Sequence, residues 1–497
     1  MTRTTLMISA ALAALSLPAQ ADVTADDVWE SWQAMLEDTN QTLQVAQTTR
    51  ENGTLRLEGL VSTLVSGGDT IVTEFDELTF DEQGDGTVLI SSSPTFRITV
   101  DGDGVNGETV NMVILLNVTG AETIASGDPG NIDHAYTADR MEMVLDSIEA
   151  SGDPFTLDFS VAADSVSGTY NWNDGSPRSI DNAFRAGALA ASFSFDDPGE
   201  EAAGNMSLTM QSIEGQTSGT ISPLQAGDEL GAFLRAGLTS ESTFASGPLA
   251  YKIDVTDPDE QFIIEGSNET ASLSARLDAD GLSYQSAGTG TAISFLAPGA
   301  MIPPISLEIA ETSSGLRLPL LKSDEMQDFA ISSQLTGLEV SDIVWSMIDP
   351  TGGLPRDPAN LKIDITGKGR WLFELTDPAV MEQVEAEGEV PGEVQSVDIN
   401  AMDLSVAGAA LTGTGAFAFD NSTVPPTPAG AIDLRLVGAN ALLDSLVAIG
   451  LLPEDQAMGA RMMLGLFARP GDGEDTLVST IELKEDGSVI ANGQRIR

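Results

Sequence analysis

The chain has 497 residues, 76 acidic against 22 basic, a formal net charge of −54, one histidine and no cysteine. Without cysteine there is no thiol nucleophile, thiolate metal site or disulfide, and the shortage of Lys and Arg excludes nucleic-acid binding, which needs clustered positive charge along the phosphates. Hydrophobic residues make up 41%, too many for the composition of a disordered chain.

The N-terminus reads as a secretory signal peptide. Arg3 gives a positive start, Leu6 to Leu17 form a short apolar stretch, and Ala19-Gln20-Ala21 is a small-x-small cleavage site before Asp22. The stretch is shorter than the roughly 20 residues a spanning helix needs. We therefore expect cleavage near Ala21, a periplasmic or secreted mature chain, no lipoprotein anchor for want of a cysteine, and no transmembrane segment afterwards.

Residues 24 to about 38 have the pattern of an amphipathic helix. Thr24 and Asp27 stand at capping-box spacing, and Val28, Trp32, Met35 and Leu36 recur at helical intervals with Trp29 widening the face. Its expected role is a plug or cap on a sheet end.

From about 41 to 436 the dominant period is two. Phe155, Leu157, Phe159 and Val161 alternate with small or polar residues, as do Leu273, Ala275 and Leu277, then Phe417 and Phe419, then Ile432, Leu434 and Leu436, while Trp371, Phe373 and Leu375 alternate with Leu372 and Glu374. Each pattern predicts a strand with one buried face. Asn52-Gly53, Asp85-Gly86, Asp174-Gly175, Asp280-Gly281 and Asp486-Gly487 supply tight-turn dipeptides, so neighbouring strands should pair antiparallel. Short helices are expected at Asp228–Leu238, at Ser341–Met347 before Pro350, and at Pro378–Glu387, where Pro suits the first turn.

The C-terminal block predicts a helix over Ala439–Ile449, ended by Gly450. A second helix follows from Pro453 to about Ala468, with Glu454 and Asp455 at its positive end. Residues 476–496 then return as a hairpin. The expected organisation is a signal peptide (1–21), an antiparallel β body with an N-terminal helix (22–340), and a C-terminal β region with the helix-Pro-helix block and terminal hairpin (341–497). The division rests on the Pro- and Gly-rich segment 349–358, and one continuous domain stays open. The fold class is mainly β: a long twisted or curved antiparallel sheet with an N-terminal helix and a C-terminal helical pair.

Catalytic patterns are absent. A Ser-His-Asp triad would have to pass through His134, which reads as an incidental polar residue in a loop or strand entry. No Gly-x-Ser-x-Gly or Ser-x-x-Lys arrangement occurs. The stretch Asp101 to Glu108 has a calcium-loop composition, but Val105 takes the third ligand position and Asn106 stands where Gly belongs, so it reads as a Gly-rich hairpin loop. Met458, Met462 and Met463 read as core beneath the sheet, with a hydrophobic-ligand contact as the alternative. No catalytic, cofactor-binding or metal residue is nominated, and no cofactor is expected.

The stretches Leu354-Pro355-Arg356-Asp357-Pro358-Ala359-Asn360-Leu361-Lys362-Ile363-Asp364, Leu411-Thr412-Gly413-Thr414-Gly415-Ala416-Phe417, Leu451 to Ala457 and Asp486 to Gln494 resemble the domain of unknown function 2125 family, exported alphaproteobacterial proteins. The helix-Pro-helix block and terminal Asn-Gly hairpin are also similar to YdgA-like and, more distantly, AsmA-like periplasmic proteins. The resemblance implies a β-rich body in the cell envelope, with lipid handling among the remoter relatives, and carries no catalytic residues.

The leading expectation is a non-enzymatic envelope protein that binds a lipid or another hydrophobic ligand. A structural or protein-interaction module and a carboxylate-based hydrolase are the alternatives. The acidity has two readings, a solvated surface suited to a salty periplasm and divalent-cation binding. On the first, NaCl near 1 M, which shortens the screening length to about 3 Å, raises the melting temperature. A flat or falling melting temperature would rule against it.

Overall fold

The computed structural model describes residues 22–38, 41–66, 69–103, 109–150, 156–197, 199, 201–221, 230–258, 260–300, 303–423 and 425–497. The signal-peptide stretch, Phe155, Asp228 and the loop residues 104–108 lie outside them.

Helix α1 (Ala25–Asp38) opens the chain. The Thr24 amide donates to the Asp27 carboxylate at 2.9 Å and the Asp27 amide donates back to Thr24 Oγ1 at 3.2 Å, so two first-turn donors are satisfied reciprocally. There follow β1 (Gln41–Glu51), β2 (Thr54–Ser66), β3 (Asp69–Glu82), β4 (Val88–Ser92), β5 (Thr95–Asp103), β6 (Thr109–Thr119), β7 (Glu122–Asp128), β8 (Asn131–Ala150), β9 (Thr156–Asn173), β10 (Arg178–Asp197) and β11 (Ala202–Ile221). After α2 (Leu230–Arg235) come β12 (Thr239–Ser246), β13 (Leu249–Thr256), β14 (Gln261–Asn268), β15 (Thr270–Asp278), β16 (Gly281–Leu296), β17 (Ile305–Leu318) and β18 (Gln327–Val340). The remainder is α3 (Asp342–Ile348), β19 (Ala359–Trp371), α4 (Pro378–Glu387), β20 (Gly392–Val406), β21 (Ala409–Asp420), β22 (Thr427–Val437), α5 (Ala439–Ala448), α6 (Glu454–Phe467), β23 (Arg469–Pro470), β24 (Thr476–Leu483), β25 (Val489–Ala491) and β26 (Gln494–Arg495).

All the strands join one antiparallel sheet that winds on in chain order. In four ranks two short strands lie end to end: β4 with β5 beside β3, β7 with β6 beside β8, β12 with β13 beside β11, and β15 with β14 beside β16. The sheet is open: among the described residues β1 pairs only with β2 and β26 only with β25. The β18–β19 ladder carries it on past residue 340.

A transverse crease crosses the sheet. Between β1 and β2 the ladder passes from Val45↔Leu60 to Gln47↔Glu58 with its register unchanged, leaving Ala46 and Gly59 unpaired opposite each other. The same interruption leaves out Asp139 and Ser165 between β8 and β9, Gly187 and Ser212 between β10 and β11, and Ala310 and Gly337 between β17 and β18. The short-strand ranks break at the same level, at Ser93-Pro94, Gly120-Ala121, Gly247-Pro248 and Glu269. Gly59, Ser165, Ser212 and Gly337 are left-handed there, with φ of 63°, 53°, 52° and 71°.

Because side chains alternate, one extra residue moves the apolar series from one parity to the other and keeps it on the same face. In β10, Ile180, Phe184 and Ala186 are followed by Leu189, Ala191, Phe193 and Phe195. In β11, Met206, Leu208 and Met210 are followed by Ile213.

Several local expectations need correction. Of the five dipeptides singled out, Asn52-Gly53 alone forms a two-residue turn, with both residues left-handed. Asp85-Gly86, Asp174-Gly175 and Asp486-Gly487 sit in longer loops, and the β15–β16 turn is Ala279-Asp280, with Gly281 already paired to Asp278. The strand read through Trp371, Phe373 and Leu375 ends at Trp371: the Leu372 amide still bonds the Pro391 carbonyl opposite it, and the chain then leaves the ladder for α4, capped by Asp377. The strand faces expected to be buried are mostly half-buried. A cluster of buried apolar residues forms where α1 packs, joining Val28 and Trp29 to Leu55, Leu57, Leu78, Phe80, Val88 and Ile132.

An added methyl at Gly337 would lie 2.8 Å from the Ala310 Cβ and would also be strained by the left-handed backbone. We expect Gly337→Ala to lower the unfolding free energy by about 1–3 kcal/mol in urea titrations. Gly459→Ala, in α6 with open space around it, should raise it by about 0.5–1 kcal/mol.

Candidate hydrophobic binding face

The ladders set side chains from successive strands in rows. One row below the crease runs Phe75, Phe96, Leu116, Met143, Val161, Ala191, Leu208, Tyr251, Gly266, Ile293, Leu307 and Val340, each the register partner of the next. At about 4.8 Å per strand it extends roughly 50 Å. The neighbouring row includes Phe159, Phe193, Met206, Ile253, Ile264, Phe295 and Ile305. Near the C-terminus a third row consists of leucines only: Leu335, Leu361, Leu404, Leu411, Leu436 and Leu477. These rows are only partly covered: Val161, Phe193 and Met206 are 36, 42 and 44% exposed.

The opposite face is polar. On the same strands, Ser160, Ser192, Ser207, Lys252, Glu265, Ser294 and Ser306 form the alternate row, with Lys252 and Glu265 ion-paired at 2.9 Å. Open hollows of the sheet are lined largely from this side, by groups such as Gln216, Thr243, Ser274 and Gln285. Among the described residues no group of three or more His, Cys, Asp or Glu side chains is placed to hold a metal ion. The stretch Asp101–Glu108, read as a Gly-rich hairpin loop, begins in β5, where Asp101 to Asp103 pair with β6; its remaining residues lie outside the described ones.

Aromatic rings shield the sheet where glycines leave its backbone bare. Tyr136 faces Gly168, Phe184 faces Gly215, Phe195 faces Gly204, Tyr251 faces Gly266, Phe329 faces Gly367 and Trp371 faces Gly392 across the ladders. An added methyl at any of these glycines would run into the facing ring. A ring can lie over the neighbouring strand only where that strand lacks a side chain.

At the N-terminal end α1 covers the apolar side. Trp29 and Trp32 pack on Phe80 with ring centroids 6.0 and 5.5 Å apart. His134, read from sequence as an incidental polar residue in a loop or strand entry, is the fourth residue of β8 and is fully buried rather than incidental. Its position in Ile132-Asp133-His134-Ala135-Tyr136 puts it in phase with the apolar residues. Trp32 Nε1–H donates to its Nε2 at 3.2 Å, and its ring stacks on Tyr170 at 4.2 Å and 12°. Burial pushes the imidazole down to about 4, outweighing the Ile132 and Tyr170 carbonyls and the Asp133 charge, which favour the cation. Burial also pushes the Tyr170 hydroxyl up to about 12. His134 is a neutral packing residue at the helix–sheet contact.

At the other end, Met458, Met462 and Met463 do not pack beneath the sheet. They face outward from α6, while Ala457 is buried on its inner side. The apolar spacing was visible in the sequence, but not which neighbour would cover it.

The family described as an uncharacterized protein conserved in bacteria, DUF2125, matches residues 234–494. No curated protein matches the chain.

The folded state keeps His134 neutral while the unfolded chain protonates it near pH 6.5. Its contribution is therefore complete above about pH 6.5 and is lost as pH falls toward 4, roughly 3 kcal/mol in all. Urea titrations of wild type and His134→Gln should show a stability gap that narrows by about that amount between pH 7 and pH 4. A gap independent of pH would contradict the neutral assignment.

Proposed function

We propose, starting from the membership of this chain in the DUF2125 family of uncharacterised bacterial proteins, that it is a non-enzymatic, exported envelope protein whose apolar sheet face holds a lipid or another hydrophobic ligand. The observation that carries this reading is the register row from Phe75 to Val340, apolar on each strand but β14, where the Tyr251 ring lies over Gly266, and partly open. Ten methylenes laid along such a row would contribute about 8 kcal/mol, equivalent to micromolar binding before ordering costs. The signal-peptide pattern at residues 1–21 supports export. Among the described residues no helix is long and apolar enough to cross a membrane.

A second reading has its own support. Strand β1 is long and, among the described residues, has a partner on one side only, an arrangement that can accept an extended segment from another protein. It makes the chain a structural or interaction module and predicts no lipid in the purified protein.

Native mass spectrometry of protein taken gently from its own cells, paired with lipid extraction, separates the two. A stoichiometric lipid is expected. In a binding assay with a fluorescent monoacylglycerol, Phe193→Glu places a charge in the apolar row and should weaken binding at least about ten-fold. Ser207→Glu, on the opposite face, should change it less than about two-fold. Equal effects, or a lipid-free protein that does not bind the probe, would exclude the apolar row as a ligand site.

A further inference from the structure

We infer that the outward face of α6 is a docking site for a cationic amphipathic helix of a partner protein. Met458, Met462 and Leu466 recur at four-residue intervals and so form a line along one side of the helix, with Met463 beside it. They are 65, 71, 52 and 50% exposed in that order, whereas an isolated exposed apolar residue would be unexceptional. Gly459 and Gly465 lie among them, and a methyl added to either would meet nothing within 4 Å. The strip is therefore bare and low enough for another backbone to approach.

Its chemistry restricts the occupant. Methionine is unbranched and adapts to irregular apolar shapes, which suits a helix laid along the strip. The only basic residue of α5 and α6 is Arg461, already ion-paired with Asp444. Glu454 and Asp455 stand at the start of α6, without an ion-pair partner among the described residues. With a chain charge of −54, the surroundings repel acidic partners and anionic bilayers. The complement of an apolar strip beside uncompensated acids is an apolar strip flanked by Lys and Arg. This site is separate from the sheet rows and does not depend on their binding a ligand.

The test uses the full mature chain and fluorescence anisotropy with a labelled Leu/Lys amphipathic helix of about 18 residues. A scrambled peptide of the same composition, a Leu/Glu helix and zwitterionic vesicles serve as competitors. The Leu/Lys helix should bind at least about ten-fold tighter than the scrambled peptide. The substitutions Met458→Ser, Met462→Ser and Leu466→Ser together should abolish that preference, while Met347→Ser, equally exposed on α3 and outside the sheet rows, leaves it intact. Circular dichroism checks the fold, and Met462→Ser alone replaces the triple variant should its melting temperature drop. Equal binding of the scrambled peptide, or an unaffected variant, would mean attraction by net charge alone and overturn the proposal. Competition by the vesicles but not by the helix would overturn it in favour of a bilayer surface.

Discussion

At the crease, the long strands β1, β2, β8, β9, β10, β11, β17 and β18 each hold one residue outside the ladder. In a flat strand of unbroken alternation, Ala186 and Phe193 of β10 would point to opposite faces. The unpaired residue at Gly187 corrects the phase, and the equivalent residues Gly59, Ser165, Ser212 and Gly337 do the same elsewhere. The apolar rows below the crease and the α1 packing surface above it therefore share one side. Hydrogen bonding would tolerate a sheet with the two halves out of phase, but burial and ligand contact would not.

A single layer of this extent has no second sheet to cover its backbone. The cross-strand aromatic–glycine pairs partly take that role: Phe184 over Gly215 and Tyr251 over Gly266 spread apolar surface across two strands with one side chain. This accounts for a long sheet built with few aromatic residues, and for rows whose members are neither buried nor fully exposed. The helix–sheet contact around Trp32, Phe80 and His134 is a different environment, dry enough to hold an imidazole neutral. One end of the apolar side is thus closed by α1, while the rows farther along remain available.

Much of this was legible from residue patterns. The α1 capping pair, Pro378 at the first turn of α4, the helices on either side of Gly450 and Pro453, and the antiparallel strands all follow from local chemistry. The crease was harder to see. Its parity shift is written in β10 and β11, but a one-residue step between two period-two runs resembles two separate strands, and serine is no conventional marker of a left-handed backbone. The alternation through Phe373 and Leu375 misled because it persists where the chain has left the sheet to reach Asp377. For α6, an apolar stripe states that a face exists without stating what meets it. His134 was judged by its chemistry as a lone titratable group, when its phase between Ile132 and Tyr136 already assigned it to the apolar side.

The winding connectivity bears on how such a molecule can change length over evolution. Most ranks touch only the preceding and following strands, so a duplicated or deleted hairpin disturbs two ladders and leaves the others unchanged. Where the off-ladder residue lies within the strands, as in the β8–β9 and β10–β11 pairs, a copied pair brings its own phase correction and extends the apolar side in register. A unit lost in the middle would shorten the row by two strand widths without reversing it. Proteins of this architecture can therefore differ greatly in span while keeping the same two ends, their dimensions set by gene duplication rather than by redesign of a closed core.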